Sequence, residues 1–470
     1  AGDAYSEGDG TIAGSGTIEG SLYNDGAVKA GSWDTVTDED GNAATLRIDG
    51  NFSGSGAIVV NTDGTNSALI HVDKKADVSA MNLKAGLYAA PDVTGTILQA
   101  DQDITGAESL NGAFSGLLNG EVQQDDNTLT LTTTASNNAG IATDQFAALN
   151  GLYGALNEDE QKDMYRLYAL DNEALQAAMA VQSQSASMHL ELAYDAMRNR
   201  DVRQAVRQQE RTDREDAVWA ITGKGWGSMD DGLKRHSWNA AVGYDFYDDG
   251  DAYAGALVAY SDNSLSGYDA DGTYKNYSVG LYGGTKNCPG TATAYVSYGR
   301  QENELTRYLG GTFSHSGASS KVTSDYDSTV FGVGATYAYD LHYGKEAGWH
   351  VSPYVGLDYA HYQQDSFGED GSVFALRSGG FSDDYLTGEL GVDMKRETNG
   401  KTYGLSVAYR RVFDGDAQHT GFSYAKGNGI GFGVQSMNHS KDHVIASAYA
   451  SAKLSDHWEI GGAVEQDWSH

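Results

Sequence analysis

His439 and His443 stand four residues apart, and two acidic runs, Asp38-Glu39-Asp40-Gly41-Asn42 and Asp269-Ala270-Asp271-Gly272, look like fragments of calcium loops. Neither acidic run has the carboxylate expected at the end of a twelve-residue loop, so both read as polar loop tips. The two histidines fall in an expected turn and read as solvated. No His-Glu-x-x-His, Cys-x-x-Cys or phosphate loop is present, and Gly-Ser-Gly at 14–16 and 54–56 marks turns, not a nucleophile elbow. Cys288, the single cysteine, lies in the turn Asn287-Cys288-Pro289-Gly290 and cannot form an intrachain disulfide. The chain therefore reads as no enzyme, with no catalytic residue, metal or cofactor.

The residues that can do work are arginines. Arg198, Arg200, Arg203, Arg207 and Arg211 lie within a short span whose only acids are Asp201 and Glu210, in a chain of net charge −34. They close a polar helix. Asp171 or Asn172 can cap it, Glu173 favours its positive end, and 174–209 holds no Gly or Pro. At 217 the period changes. Val218-Trp219-Ala220-Ile221-Thr222-Gly223-Lys224-Gly225-Trp226-Gly227 has Gly at alternate positions and suits a curved strand of a closed sheet. Trp219 and Trp226 mark where the chain passes from helix into wall. A helix joined to a barrel in this way can lie inside it, and an arginine-rich helix is the electrostatic complement of an acidic lumen.

Composition narrows the class. The negative charge argues against nucleic acid. Sixty Gly, three Pro, thirty Tyr and seven Trp in 470 residues suit a membrane interface better than a soluble core. No apolar run reaches 18 residues, so neither a transmembrane helix nor a signal peptide is expected, and a start at Ala1 suggests processing or trimming. A β-barrel is the remaining way to cross a bilayer.

Three regions are expected. Residues 1–140 carry short β-rich segments between Gly and Asn/Asp turns, the pattern of a parallel β-solenoid, with a β-sandwich as the alternative. Residues 141–216 are a helical linker, with a short helix over 144–156, a capping box at Asn157 and Glu160, and the helix 171–215. Residues 217–470 hold twelve strand-like segments: 217–229, 237–247, 252–261, 273–283, 291–302, 326–339, 349–359, 385–394, 403–413, 430–437, 443–454 and 457–468. An even count, tight turns on one side and long loops on the other suit a 12-stranded antiparallel transmembrane β-barrel. In 351–359 the alternation puts Asp358 in the lumenal set, since charge facing lipid is costly.

Several blocks resemble a known family. Thr17-Ile18-Glu19-Gly20-Ser21-Leu22-Tyr23-Asn24-Asp25-Gly26 and Leu46-Arg47-Ile48-Asp49-Gly50-Asn51-Phe52 are similar to the last rungs of an autotransporter passenger, where folding starts. Pro353, Tyr354 and Tyr359, followed by Phe367, Glu369 and Gly371, resemble the Pro-Tyr … Tyr … Phe-x-Glu-x-Gly block of the autotransporter barrel, and Tyr298-Gly299-Arg300 with Arg307 resembles its fifth strand. Trp458, Ile460, Val464 and Trp468 share one face of the last segment, which in that family is the membrane-insertion signal.

The resemblance is to monomeric autotransporters of type Va secretion. It implies an outer-membrane translocator that exports and anchors its own β-helical passenger at the cell surface, with the passenger an adhesin as the commonest role. It also implies outer-membrane lipid and lipopolysaccharide, the barrel-assembly machinery and periplasmic chaperones as partners. Relatives cut in the lumen carry two adjacent Asn; here Asn199 stands alone, so passenger and barrel are expected to stay joined. The alternative is a porin-like diffusion channel with a surface domain.

Overall fold

The computed structural model describes residues 2–32, 44–62, 68–209, 218–229, 232–285, 290–341, 348–455 and 458–469. Arg211, Cys288 and the acidic run at 38–42 lie outside them.

Up to residue 105 the chain winds through three ladders of parallel strands. Ala4–Ser6, Leu22–Asn24, Phe52–Ser53, Ala76–Asp77 and Ile104–Thr105 stack in one; Thr11–Gly14, Ala27–Ala30, Ala57–Val60 and Asn82–Ala85 in another. The third runs Gly16–Ile18, Thr45–Ile48, Leu69–Val72 and Thr94–Ala100. Inward side chains such as Leu22, Val28, Ile48, Phe52 and Val72 are buried, so each turn covers the apolar face of its neighbour. The coil then changes character. Thr128–Ala135 pairs antiparallel with both Thr94–Ala100 and Leu118–Asp125, which closes the apolar end of the stack.

The helices follow their caps. Asn157 and Glu160 form the reciprocal capping box. The Asp171 side chain accepts from the Ala174 N–H at 2.8 Å and starts the helix Asn172–Arg198. The expected continuous helix is interrupted. Asn199 leaves helical geometry (φ −108°, ψ 51°) and donates to Asp195 Oδ1 at 2.6 Å, and a second helix, Asp201–Gln209, begins beyond it.

From Val218 the strands form one antiparallel sheet in chain order. Here the strand count needs correction: the sheet has eleven strands among the described residues, not twelve. The segment expected at 430–437 is the five-residue strand Gly431–Gln435, shorter than the about nine residues a crossing needs. Gly429, at φ +88°, turns it back onto His419–Tyr424. Those two strands join Phe367–Gly368 and Leu376–Ser378 in a separate four-stranded sheet beside the long loops. With eleven strands the first and last run the same way, and no ladder joins them among the described residues.

The sheet curls round the helices. Their side chains reach Arg235 on its second strand, Tyr274 on the fourth, Asp358 on the seventh, Glu389 on the eighth and Asp467 on the eleventh. Outward positions are apolar and uncovered, including Val258, Leu281, Val333, Leu357, Leu390 and Val407. No helix of the described residues is long and apolar enough to cross a membrane.

Candidate functional site

The inner face of the wall and the two helices meet in a chain of ion pairs. Arg200 is buried against Asp358, which also accepts from the Tyr295 hydroxyl, and its Nη1 donates to the Tyr359 carbonyl at 2.9 Å. Arg203, one turn on, bridges Asp358 at 3.5 Å and Glu389 at 3.2 Å. Arg207 reaches Glu389 at 2.6 Å and Tyr354 Oη at 3.1 Å. Tyr354 in turn donates to Glu389 at 2.8 Å. Arg410 of the wall lies 3.2 Å from Glu389 and 3.6 Å from Asp467. Arg198 closes the chain on Asp467 at 2.7 Å. The spacing explains itself: positions 200, 203 and 207 lie on one helical face, and Asp358 and Glu389 project inward from neighbouring strands. A buried charge is tolerated only when paired in this way.

The opposite helix face meets a different wall. Asp195 binds Arg235 at 2.6 Å and the Tyr274 hydroxyl at 2.8 Å, and Asp201 accepts from Ser261 and Asn276 at 2.7 and 2.6 Å. Small residues let the helices approach closely. A Cβ on Gly272 would fall 2.9 Å from Leu192, and one on Gly280 would fall 2.6 Å from Val202.

A second cluster sits at the mouth, where the small sheet covers the helix. Glu369 receives Arg307 Nε at 2.6 Å and Nη2 at 2.5 Å, the bidentate geometry that favours Arg. It also accepts the Leu376 N–H at 2.8 Å and lies 3.4 Å from His189 Nε2. Arg307 Nη1 donates to Ser185 on the helix at 3.1 Å. Helix, fifth strand and covering sheet are thus tied through one buried pair. Phe367 packs its ring on His189 at 4.2 Å, and Gly371 takes φ +115°, which returns the chain beside Lys321.

Other positions fall as follows. Trp219 donates from Nε1 to the Tyr282 hydroxyl at 2.7 Å, inside the wall. Trp226 points outward, 78% exposed. Ile460, Val464 and Trp468 lie on the uncovered outer face of the last strand, which begins at Trp458. Pro353 pairs with Val392 in the wall, and Tyr359 donates to Asp384 at 2.5 Å. The histidines read as solvated are buried: His439 stacks on Tyr194 at 3.6 Å and lies 2.9 Å from Glu191, and His443 contacts Asp467 at 3.0 Å. Asp269 is no ligand loop but half of a two-residue hairpin turn with Tyr268, both at positive φ.

Sequence reasoning missed Glu389, Asp467 and His189. The strands of Glu389 and Asp467 each carry several acids, so the available signal was strand alternation, which puts Glu389 opposite Leu390 and Asp467 opposite Trp468, as it put Asp358 opposite Leu357.

Residues 218–465 match the autotransporter β-domain family. Serine protease EspC of Escherichia coli O127:H6 is 27% identical over 194 residues, 40% of this chain and 14% of that protein. The extracellular serine protease of Serratia marcescens is 26% identical over 216 residues, 42% of this chain and 18% of that protein. The chain thus spans under a fifth of the length of these relatives. The translocator domain of autotransporter NalP from Neisseria meningitidis is similar at a TM-score of 0.48 and 16% identity, over 62% of this chain and 94% of that one.

Proposed function

The chain belongs to the autotransporter family, and from that premise we propose that its arginine-bearing helices plug the translocator once export is complete. The chain is the outer-membrane translocator unit that exports its own passenger and holds it at the cell surface. This unit is not itself catalytic. The observation that carries the plug reading is the pairing of Arg203 and Arg207 with the buried Glu389 in the lumen. A porin-like channel would need that space open.

In this reading residues 1–140 are the passenger's end, 141–216 the linker and 217–470 the translocator. The parallel ladders support the first assignment, and the helices Asn172–Arg198 and Asp201–Gln209, which lie against the inner face of the wall, support the second. The small sheet supports the third only in part, because it lies outside the wall and braces the linker. Passenger and barrel stay joined at Asn199, whose amide is committed to Asp195. The outer apolar face takes lipid and lipopolysaccharide, and insertion uses the barrel-assembly machinery and periplasmic chaperones, with the face bearing Ile460, Val464 and Trp468 as signal. The relatives' names favour a protease over an adhesin as passenger class.

Conductance across planar bilayers tests the plug. The unmodified chain should stay nearly closed, and Arg203→Glu with Arg207→Glu should open it. Adding Glu389→Lys should restore closure by reversing the pair. Unchanged conductance in the double variant would overturn the reading.

A further inference from the structure

Outside the barrel, the coil brings His71, Asp73 and Asp101 together on its surface. His71 lies in the strand Leu69–Val72, flanked in register by Arg47 and Gln99. Asp73 and Asp101 follow their strands at the same corner of successive turns. The backbone fixes both, since the Asp73 N–H donates to Ile48 O and the Asp101 N–H to Val72 O, each at 2.9 Å. Their ligand-type atoms, His71 Nε2, Asp73 Oδ1 and Asp101 Oδ1, all lie within 4.8 Å of one another.

The spacing is the informative quantity. Nε2 is 3.4 Å from Asp73 Oδ1 and 3.5 Å from Asp101 Oδ1. Both exceed the usual N–H···O length of about 2.9 Å, and one Nε2 proton cannot serve two acceptors. A tetrahedral ion with bonds of about 2.0–2.2 Å has ligand edges of about 3.3–3.6 Å, which these distances match. A second observation concerns Asp73. Arg47 Nη2 takes its Oδ2 at 2.8 Å, while Oδ1, shielded from water, has no hydrogen-bond partner. That leaves a lone pair facing the imidazole and the second carboxylate.

We propose that His71, Asp73 and Asp101 form a site for a transition-type divalent cation such as Zn²⁺, with water as fourth ligand. One nitrogen and two carboxylates suit zinc better than calcium, which takes six to eight oxygens. The ion would clamp two successive turns of the coil at its surface. Arg47 is the competitor: it neutralises Asp73 and places positive charge beside the ion.

Isothermal titration of the untagged full chain in detergent with Zn²⁺ tests the site. One ion per chain is expected, with Ca²⁺ failing to displace it. His71→Ala and Asp101→Asn should each weaken uptake by at least about tenfold, the loss that even an outer partner of a ligand can cause. Arg47→Gln should tighten it. Asp101 is more than half exposed, so its variant should keep the fold, and an unchanged circular dichroism spectrum verifies this. No zinc uptake, or stoichiometric uptake that survives both ligand variants, overturns the proposal.

Discussion

Glu369 accepts both arms of one guanidinium in a place water does not reach, and two predictions belong to it. Removing one partner of a buried pair strands the other charge, at about 3–5 kcal/mol. Glu369→Gln should therefore lower stability by about that much at neutral pH, read as a lower thermal midpoint in detergent. The second prediction concerns acid. Burial opposes ionisation of Glu369, but attraction to Arg307 and hydrogen bonds from Arg307 and His189 outweigh it and hold the carboxyl at about 2. Its ordinary value is 4.5. A depressed carboxyl binds protons first in the unfolded chain, so its contribution is complete above 4.5 and is lost as pH falls toward 2. The midpoint should decline through that window, and Glu369→Gln should flatten the decline; an identical acid limb in the variant would contradict the assignment. Glu369 and Arg307 were both legible in the sequence through family-like blocks. Their pairing was not, because 62 residues separate them and only the fold closes that distance.

At the scale of elements, the helix start was readable because an Asp before an Ala- and Gln-rich run satisfies free N–H groups locally. Asp171→Ala should cost about 1 kcal/mol, seen as faster hydrogen exchange over the first turn after Asn172; equal exchange would mean that packing alone holds the end. The interruption at Asn199 was not readable. It arises from competing partners on the wall: Arg200 turns to Asp358 and Asp201 to Ser261 and Asn276, and no helical propensity records them. The strand Gly431–Gln435 shows the same limit. Its alternation is that of a wall strand, and only its length and the turn at Gly429 send it to the covering sheet. Alternation did place Asp358 correctly, since a two-residue period leaves one face for each residue.

The wall, over half of the molecule, has an apolar exterior and a charged interior occupied by the helices, the reverse of the coil that precedes it. Leu390 lies in the middle of the strand Phe381–Thr398, 61% exposed. Leu390→Arg should cost about 2–4 kcal/mol of stability in a bilayer, measured by refolding into vesicles, and little in a detergent that lets the charge meet water. Architecture at this scale was legible because a spanning sheet must alternate lipid-facing and lumenal residues over long strands. The covering sheet and the docking of the coil were not, since they rest on contacts between distant segments, such as the Tyr88 hydroxyl donating to the His315 carbonyl at 3.3 Å. Gel mobility of the detergent-extracted chain, with and without boiling, followed by limited proteolysis, tests the central claim most directly. A sheet curled round its own helix predicts a boiling-dependent shift and a protected fragment that contains both the helix Asn172–Arg198 and the wall strands. No shift, or cleavage within that helix while the strands remain intact, would contradict it.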